Sequence, residues 1–418
     1  MIQKKSVKLL IIGAGPAGLA AAVAAAEAGI DDILLLDRME EMGGILQQCI
    51  HNGFGLRYFQ RELTGTEYAQ RLIEQVLGCP AINIKVHTMV VEVREDLQVT
   101  TVNPQDGMMI YQAEALILAM GCRERPRGAI NIAGSRGAGI YTAGTVQRLM
   151  NIEGYLPGRQ AVILGSGDIG LIMARRLTLE GVKVHAVLEL QPYSSGLRRN
   201  IVQCLEDYQI PLYLSHTVVE ISGEKRVEAV KVAPVDGSFS PFLEKAFTIS
   251  CDMLVLSVGL IPENELSRMA GVKLCPATAG PLVDANYQTT VPAIFACGNV
   301  VHVHDLVDDV SEEGAIAGRA AADYLRGRNV STDWFSLRPA KNIRSVVPQK
   351  VFPDRNTLLY IRPLLPAQNV LLRVGNGLLK QKVVTPGETI RYLLKPEDIP
   401  ERVRAGIDEL SIWLEEDE

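Results

Sequence analysis

The sequence predicts an α/β protein with two Rossmann-like dinucleotide-binding units, the second inserted into the first, and a small β-rich segment after them. Three observations predict it. Two GxGxxG fingerprints, Gly13-Ala14-Gly15-Pro16-Ala17-Gly18 and Gly165-Ser166-Gly167-Asp168-Ile169-Gly170, each follow an apolar run. An acidic residue, Asp37 and then Glu189, stands 24 residues past the first glycine of each. Two further apolar runs that end in small residues, 115–121 and 293–299, lie on either side of the second fingerprint. One GxGxxG alone is weak evidence, because glycines serve ordinary turns. Two of them, each with strand, helix and terminal carboxylate, specify two nucleotide sites.

The first unit opens with Val7-Lys8-Leu9-Leu10-Ile11-Ile12, whose near-continuous apolar character reads as a parallel strand buried on both faces. Gly13 allows the sharp turn, Gly15 lets the backbone approach a pyrophosphate, and Gly18 lets the next helix, Leu19 to Ala28, pack close to the strand. That helix would turn its free N–H groups and positive dipole end to the phosphates. Asp37, at the end of Ile33-Leu34-Leu35-Leu36, is placed to accept hydrogen bonds from a ribose diol. Lys4-Lys5 before an alanine-rich stretch also resembles a secretory signal peptide, but the glycines and Asp37 would then be coincidences.

The second unit repeats this logic with the strand Gln160 to Leu164, a helix from Ile169 to Gly181 and the strand Val182 to Leu188, closed by Glu189. A carboxylate there binds ribose hydroxyls and repels a 2′-phosphate, which predicts NAD(H) over NADP(H), although Arg198 and Arg199 stand near enough in sequence to accept a phosphate. A nucleotide fold that has lost its ligand is the competing reading. The run Cys251 to Gly259 repeats the strand-then-glycine pattern, and a helix is expected from Glu312 to Leu325.

Composition narrows the function. The 418 residues have room for two or three domains, and 47% are hydrophobic. A net charge of −6 gives no basic footprint for nucleic acid. No stretch of about 18 uncharged apolar residues is present to span a membrane. The seven cysteines are scattered without any CxxC pair, which fits a reducing cytoplasm and argues against a disulfide framework, a zinc site or an iron–sulfur motif.

Residues 5 to 330 resemble two-domain flavoproteins of the pyridine-nucleotide oxidoreductase superfamily. The resemblance rests on both fingerprints, on Gly43-Gly44, on Ala119-Met120-Gly121 and on Ile294-Phe295-Ala296-Cys297-Gly298-Asn299. It implies FAD at the first fingerprint and NAD at the inserted one, in a three-layer ββα arrangement. The domains implied are 1–121 with 252–328 for FAD, 122–251 for NAD, and 329–418 as a docking domain. By the same resemblance Gly13, Gly15, Pro16, Ala17, Gly18, Asp37, Arg38, Gly43, Gly44, Val90, Met120, Gly121, Gly298 and Asn299 hold FAD, Val90 through its backbone at the adenine. Gly165, Gly167, Asp168, Ile169, Gly170, Glu189 and Gly259 hold NAD. Asn299 stands where the superfamily usually has Asp, and its amide can make the same hydrogen bond to a flavin ribityl hydroxyl without the charge. A helix opening near Gly314 and Ala315 would point N–H groups at the flavin pyrimidine.

Gly43 to Gly55, Met120 to Pro126 and Gly139 to Gly144 are similar, more narrowly, to NADH-dehydrogenase-like subunits of bacterial multi-subunit dehydrogenases, related to opine oxidase and hydrogen cyanide synthase subunits. The stretch Gly298 to Asp308 is most similar to the version found with anaerobic glycerol 3-phosphate dehydrogenases. The implied partners are a second flavoprotein of the D-amino-acid-oxidase type and a small cysteine-containing subunit, and a homo-oligomer is also compatible. The superfamily's redox-active cysteine pair is missing, since Cys49 stands alone after Gly44, and no cysteine follows Cys297 to ligate a cluster. Ile172 stands where many relatives have a Glu that orders the nicotinamide site.

Hydride exchange between nicotinamide and flavin asks the protein chiefly for position and electrostatics. Cys49 and His51, just beyond Gly44, are the candidate catalytic residues. His51 reads either as a proton relay or as a loop histidine, and Cys49 either as a buried inert thiol or as the centre of a stand-alone NADH oxidase or peroxidase. His302 and His304 with Asp305 and Asp308 read as loop contacts or subunit-interface residues rather than metal ligands. In the last segment, Val346 to Val351, Leu358 to Arg362 and Val384 to Tyr392 suggest strands, Pro400 to Leu414 has helical spacing, and 415–418 reads as a solvated acidic tail.

Overall fold

The computed structural model describes residues 3–328, 334–406 and 409–417. Its contacts divide the chain into Met1–Cys122 with Pro262–Glu418, and Arg123–Ile261.

The first body is organised by a seven-stranded sheet in which Ile82–Lys85, Ile33–Leu36, Gln3–Ile12 and Gly107–Leu118 lie side by side and parallel. Gln98–Asn103 and Met89–Val93 continue it antiparallel. Gly107–Leu118 shows why one strand serves two neighbours. Its first half alternates between buried and exposed positions and pairs with Gln98–Asn103; its last residues, Ala115 to Leu118, are all buried, and there Ile294–Ala296 pairs with it in parallel. Alternation marks a sheet with one wet face, and a continuous apolar run marks one covered on both.

The cover includes the helices Pro16–Glu27 and Val307–Leu325, which cross closely because Gly314 and Gly318 lie against the carbonyls of Ala17 and Ala21. A Cβ at either glycine would collide with those oxygens. The helix Gly65–Leu77 starts at a reciprocal cap in which Thr64 accepts from Glu67 N and the Glu67 carboxylate accepts from Thr64 N.

Residues from Phe335 onward fold into five-stranded and three-stranded sheets around their own apolar core, with Val351, Leu359, Leu372 and Ile412 fully buried. The expected helix from Pro400 to Leu414 is corrected: Glu401–Arg404 is helical, Leu410–Glu416 is a strand that pairs with Ala367–Val374, and residues 407 and 408 lie outside the described residues. The buried positions alternate through that strand, Leu410, Ile412 and Leu414, and this two-residue period outweighed the coarser helical spacing. Nor is the acidic end a free tail: Glu415 accepts from Arg373 Nε (2.6 Å) and Trp413 Nε1 (3.1 Å), and Asp417 pairs with Lys380. Glu418 lies outside the described residues.

The second body holds a five-stranded parallel sheet in the order Ile140–Thr142, Met253–Leu256, Gln160–Leu164, Lys183–Glu189 and Leu212–Leu214. The expected boundary at 252 is therefore corrected. Met253–Leu256 is the strand between Ile140–Thr142 and Gln160–Leu164, so residues up to Ile261 belong with this body. The segment expected as a separate domain after residue 329 groups with the first body, to whose core it contributes Val347 and Tyr360.

Candidate functional site

In the first body the strand Gln3–Ile12 ends at Gly13, whose φ of +107° and contact with the Ala119 carbonyl exclude a side chain. Gly18 sits against the Gly13 carbonyl, bringing the helix onto the strand end. At Gly15 an added Cβ would meet no protein atom within 4 Å. Gly15 is also the N-cap of Pro16–Glu27, and no side chain caps that helix end. An open glycine in front of uncapped N–H groups is a cradle for a diphosphate. Asp37 ties the turn to the next strand, accepting from Ala14 N (2.7 Å) and Met39 N (2.8 Å). Gly43 donates to the Ala14 carbonyl (2.8 Å), and Gly44 approaches the Gly15 Cα, so the Gly43-Gly44 turn forms the second wall.

A cavity of about 470 Å³ opens beside this turn, lined by Gly13, Asp37, Arg38, Val90, Met120 and others. Thr88, Glu263, Leu266 and Met269 also line it, and sequence reasoning missed them. Glu263 could have been found from its place just past the strand and turn ending at Gly259; Leu266 and Met269 carried no signal beyond ordinary helical apolarity. Glu263 N donates to the Gly121 carbonyl (3.0 Å), which joins the cavity's two sides. Cys49 follows the short helical turn Gly44–Gln48 and its Sγ donates to the Ile45 carbonyl (3.4 Å); His51 is half-buried with its ring 5.0 Å from Phe54.

The third wall is Gly298-Asn299. Gly298, at φ +74°, packs on Ala17, which brings this turn to the first fingerprint. Beneath it Glu313 is fully buried and accepts from Gly298 N (2.9 Å), Tyr287 Oη (2.8 Å) and His302 Nε2 (2.8 Å). His304 Nε2 lies 3.0 Å from the same carboxylate, and the donor atoms of His302, His304 and Glu313 are all within 4.8 Å of one another. Burial alone would raise the Glu313 pKa, but the charges and hydrogen bonds of His304 and His302 hold it well below the usual carboxylate range. Asp305 instead accepts from Arg362 (2.8 Å) and Thr389 N (2.7 Å), and Asp308 from Tyr58 N (2.9 Å).

The placement of Gly314 and Ala315 at a helix opening is corrected. The helix begins at Val307, so both lie two turns inside it with their N–H groups committed to the helix, and Gly314 serves the contact with Ala17. The helix's true first turn carries Asp308 and Asp309, with Arg57 2.8 Å and Arg391 3.3 Å from Asp309.

In the second body Gly165 repeats Gly13, with φ +103° and the Ser257 carbonyl where a Cβ would go. Gly170 sits on the Gly165 carbonyl, as Gly18 does on Gly13. Glu189 is buried and accepts from Ser166 N (3.0 Å), Ser166 Oγ (2.5 Å) and Gln191 N (2.9 Å). Asp168 opens the helix Asp168–Leu179, followed by Ile169, and its carboxylate accepts from Leu197 N (2.9 Å) and Asn200 Nδ2 (2.7 Å). Gly259, at φ +97°, accepts from Arg125 N (2.9 Å) and has open space around its Cα.

A diphosphate cradle at a strand end, with a carboxylate beneath it and built twice in one chain, defines a nucleotide-dependent oxidoreductase of the α/β class. The comparison with known sequences agrees: the chain belongs to the pyridine nucleotide-disulphide oxidoreductase family, whose model matches residues 7–322. It is an FAD/NAD(P)-dependent oxidoreductase. It is 25% identical over 360 residues to hydrogen cyanide synthase subunit HcnB of Pseudomonas protegens, covering 80% of this chain and 73% of that one. To an opine oxidase subunit of Agrobacterium tumefaciens it is 24% identical, over 75% of this chain and 64% of the relative. The fold is shared with thioredoxin reductase of T. acidophilum, at a TM-score of 0.62 and 24% identity, over 76% of this chain and 98% of that one. Among the described residues no helix is long and apolar enough to cross a membrane.

Proposed function

We propose that the chain is the electron-transfer subunit of a multi-subunit dehydrogenase, passing hydride between NAD(H) and FAD while a partner oxidises the substrate. In this reading the first body holds FAD on Gly13 to Gly18, Asp37, Gly43-Gly44 and Gly298-Asn299, and the inserted body holds NAD on Gly165 to Gly170 and Glu189. The flavin supplies a hydride acceptor and donor in its ring. The residues supply an open cradle for its diphosphate at Gly15 and a polar floor at Asn299.

The observation that carries the reading is the spacing of the cysteines. Disulfide exchange needs a second thiol close in the chain or the fold, and no two of the seven cysteines stand at the CxxC or CxxxxC spacing of a redox pair. The two relatives above bear the names of subunits, which supports a role inside a complex. The partners proposed are a flavoprotein of D-amino-acid-oxidase type and a small cysteine-containing subunit, docked through the β-rich segment from Phe335 onward. Glycerol 3-phosphate is the substrate class proposed for the assembled complex.

The test is anaerobic stopped-flow reduction of the purified chain by NADH, with a dye as electron acceptor, for the native chain and Cys49→Ser. The reading expects flavin bleaching and dye reduction within twofold of native in the variant. Loss of peroxide turnover in Cys49→Ser, from a native chain that shows it, would instead favour a peroxidase that uses Cys49.

A further inference from the structure

The Gly298-Asn299 turn rests on a set of charges that neither nucleotide turn uses. The backbone N–H of His304 donates to Asn299 Oδ1 (3.1 Å), which fixes the orientation of that amide; Asn299 Nδ2 then points to Cys122 Sγ, 3.6 Å away. His304 Nδ1 lies 3.1 Å from the same Asn299 oxygen, and its Nε2 lies 3.0 Å from Glu313 Oε1, off the ideal hydrogen-bond line. Both ring nitrogens therefore face acceptors. A neutral imidazole has one N–H and one lone pair, so a neutral ring would set its lone pair against one of the two oxygens.

Glu313 is the anion that balances this ring. It already accepts three hydrogen bonds, from Gly298 N, Tyr287 and His302, and hydrogen bonds to a carboxylate favour its ionised form. The neighbouring acids have cations of their own: Asp305 pairs with Arg362, and Asp309 with Arg57 and Arg391. His302, whose ring centroid is 4.0 Å from that of His304, needs only one proton for its bond to Glu313, and Tyr360 meets the His304 ring edge-on at 5.5 Å.

We infer that His304 is a permanently buried imidazolium, paired with Glu313, that orients the Asn299 amide and keeps the Glu313 charge from lowering the reduction potential of the flavin. This rests on the assignment of FAD to the first body. A neutral amide at position 299 with a cation directly behind it makes the potential at this wall more positive than a carboxylate there would, which favours the electron-rich reduced ring. Burial alone would lower the His304 pKa, but the Glu313 charge beside it raises it above the ordinary value, in line with the geometry. His304 is a positioning residue, acting through Asn299 and through its field.

Two measurements on the full-length chain test this. Ring nitrogen NMR of histidine-labelled protein, assigned by the signals lost in His304→Gln, should show a doubly protonated His304 through neutral pH; a neutral tautomer overturns the inference. This reading does not need flavin, so it stands apart from the FAD assignment, which fails if the native chain takes up no FAD. Redox titration of the FAD-loaded chain then separates charge from shape. His304→Gln leaves an unbalanced carboxylate and should lower the reduced-to-oxidised ratio at a fixed potential at least tenfold, a shift of about 30 mV to the negative for a two-electron couple. Glu313→Gln removes both charges together and should move the potential little, and the double variant should return most of the way to native. An unchanged potential in His304→Gln, or a double variant as negative as the single one, overturns it.

Discussion

The two glycine turns share a backbone plan and differ in what surrounds them. Gly13 and Gly165 take the same left-handed conformation against a carbonyl, Gly18 and Gly170 pack against the carbonyls of those two glycines, and Asp37 and Glu189 each accept from the residue after the first glycine. A further glycine follows at the same distance in both, Gly44 and Gly196, seven residues beyond the acid. At the first turn Gly15 is open and a cavity lies alongside. At the second, the position a Gly167 Cβ would take is 3.7 Å from Ser195 Oγ and 3.9 Å from Ser257 Oγ, while Ser194 Oγ donates to the Ser166 carbonyl (3.1 Å). The lesson is that the fingerprint specifies the turn, and the segment after the acid specifies the wall. Gly43-Gly44 gives a bare wall in one case, and Ser194-Ser195 gives a hydroxyl-lined wall in the other.

The largest expected effect separates the two turns by ligand. Gly13→Ala forces a Cβ into the Ala119 carbonyl at φ +107° and should cost at least a hundredfold in FAD affinity, about 3 kcal/mol, read as flavin lost on gel filtration. Gly165→Ala meets the Ser257 carbonyl in the same way and should leave a yellow protein that NADH no longer bleaches. Equal bleaching of Gly165→Ala and native chain would break the comparison, because the second turn would then have no part in nicotinamide binding.

How much of this was legible in the residues follows from the range over which each feature is encoded. Glycine turns, parallel strands and terminal carboxylates are local, so both cradles could be read directly. Glu313 could not. It lies inside a helix and gains its meaning from His302, His304, Tyr287 and Gly298, which only the fold brings to it. The helix start was misplaced because Val307 to Val310 carries two acids that look like a solvated loop; Asp308 and Asp309 are buried because Tyr58 N, Arg57 and Arg391 satisfy them from distant segments. The strand Leu410–Glu416 was missed because its partners, Leu337 and Val374 among them, are at least 38 residues away.

A smaller effect concerns the two acids. Glu189 is buried and holds three donors, whereas Asp37 is half-exposed and holds two. Glu189→Ala should destabilise the inserted body by about 1–3 kcal/mol through the donors left unsatisfied, and should narrow the preference for NADH over NADPH about tenfold. Asp37→Ala should cost less in stability, because water can replace part of what it loses. Reduction rates with the two nucleotides, together with thermal melts, measure both. Faster reduction of the native chain by NADPH would remove Glu189 as the specificity residue.

The smallest effect is a pH dependence that is strongest in the first body. Burial, with the neighbouring His304 charge, pushes His302 down to about 4 from 6.5, so its contribution is complete above pH 6.5 and is lost as the pH falls from there through 4. His304 runs the other way: its pKa is raised, so its contribution is complete below 6.5 and is lost as the pH rises through that raised value. In the inserted body partial burial lowers His185 as well, the same sign as His302, but His185 and His216 are both only partly buried and neither is paired with a carboxylate among the described residues. Hydrogen exchange between pH 7 and 4, corrected for the intrinsic rate, should therefore show peptides around 298–313 opening further than those around 160–189 as the acid side is approached. His302→Asn should flatten that acid limb and leave the inserted body as it was; an acid limb shared equally by both bodies would place its source outside the buried histidine pair.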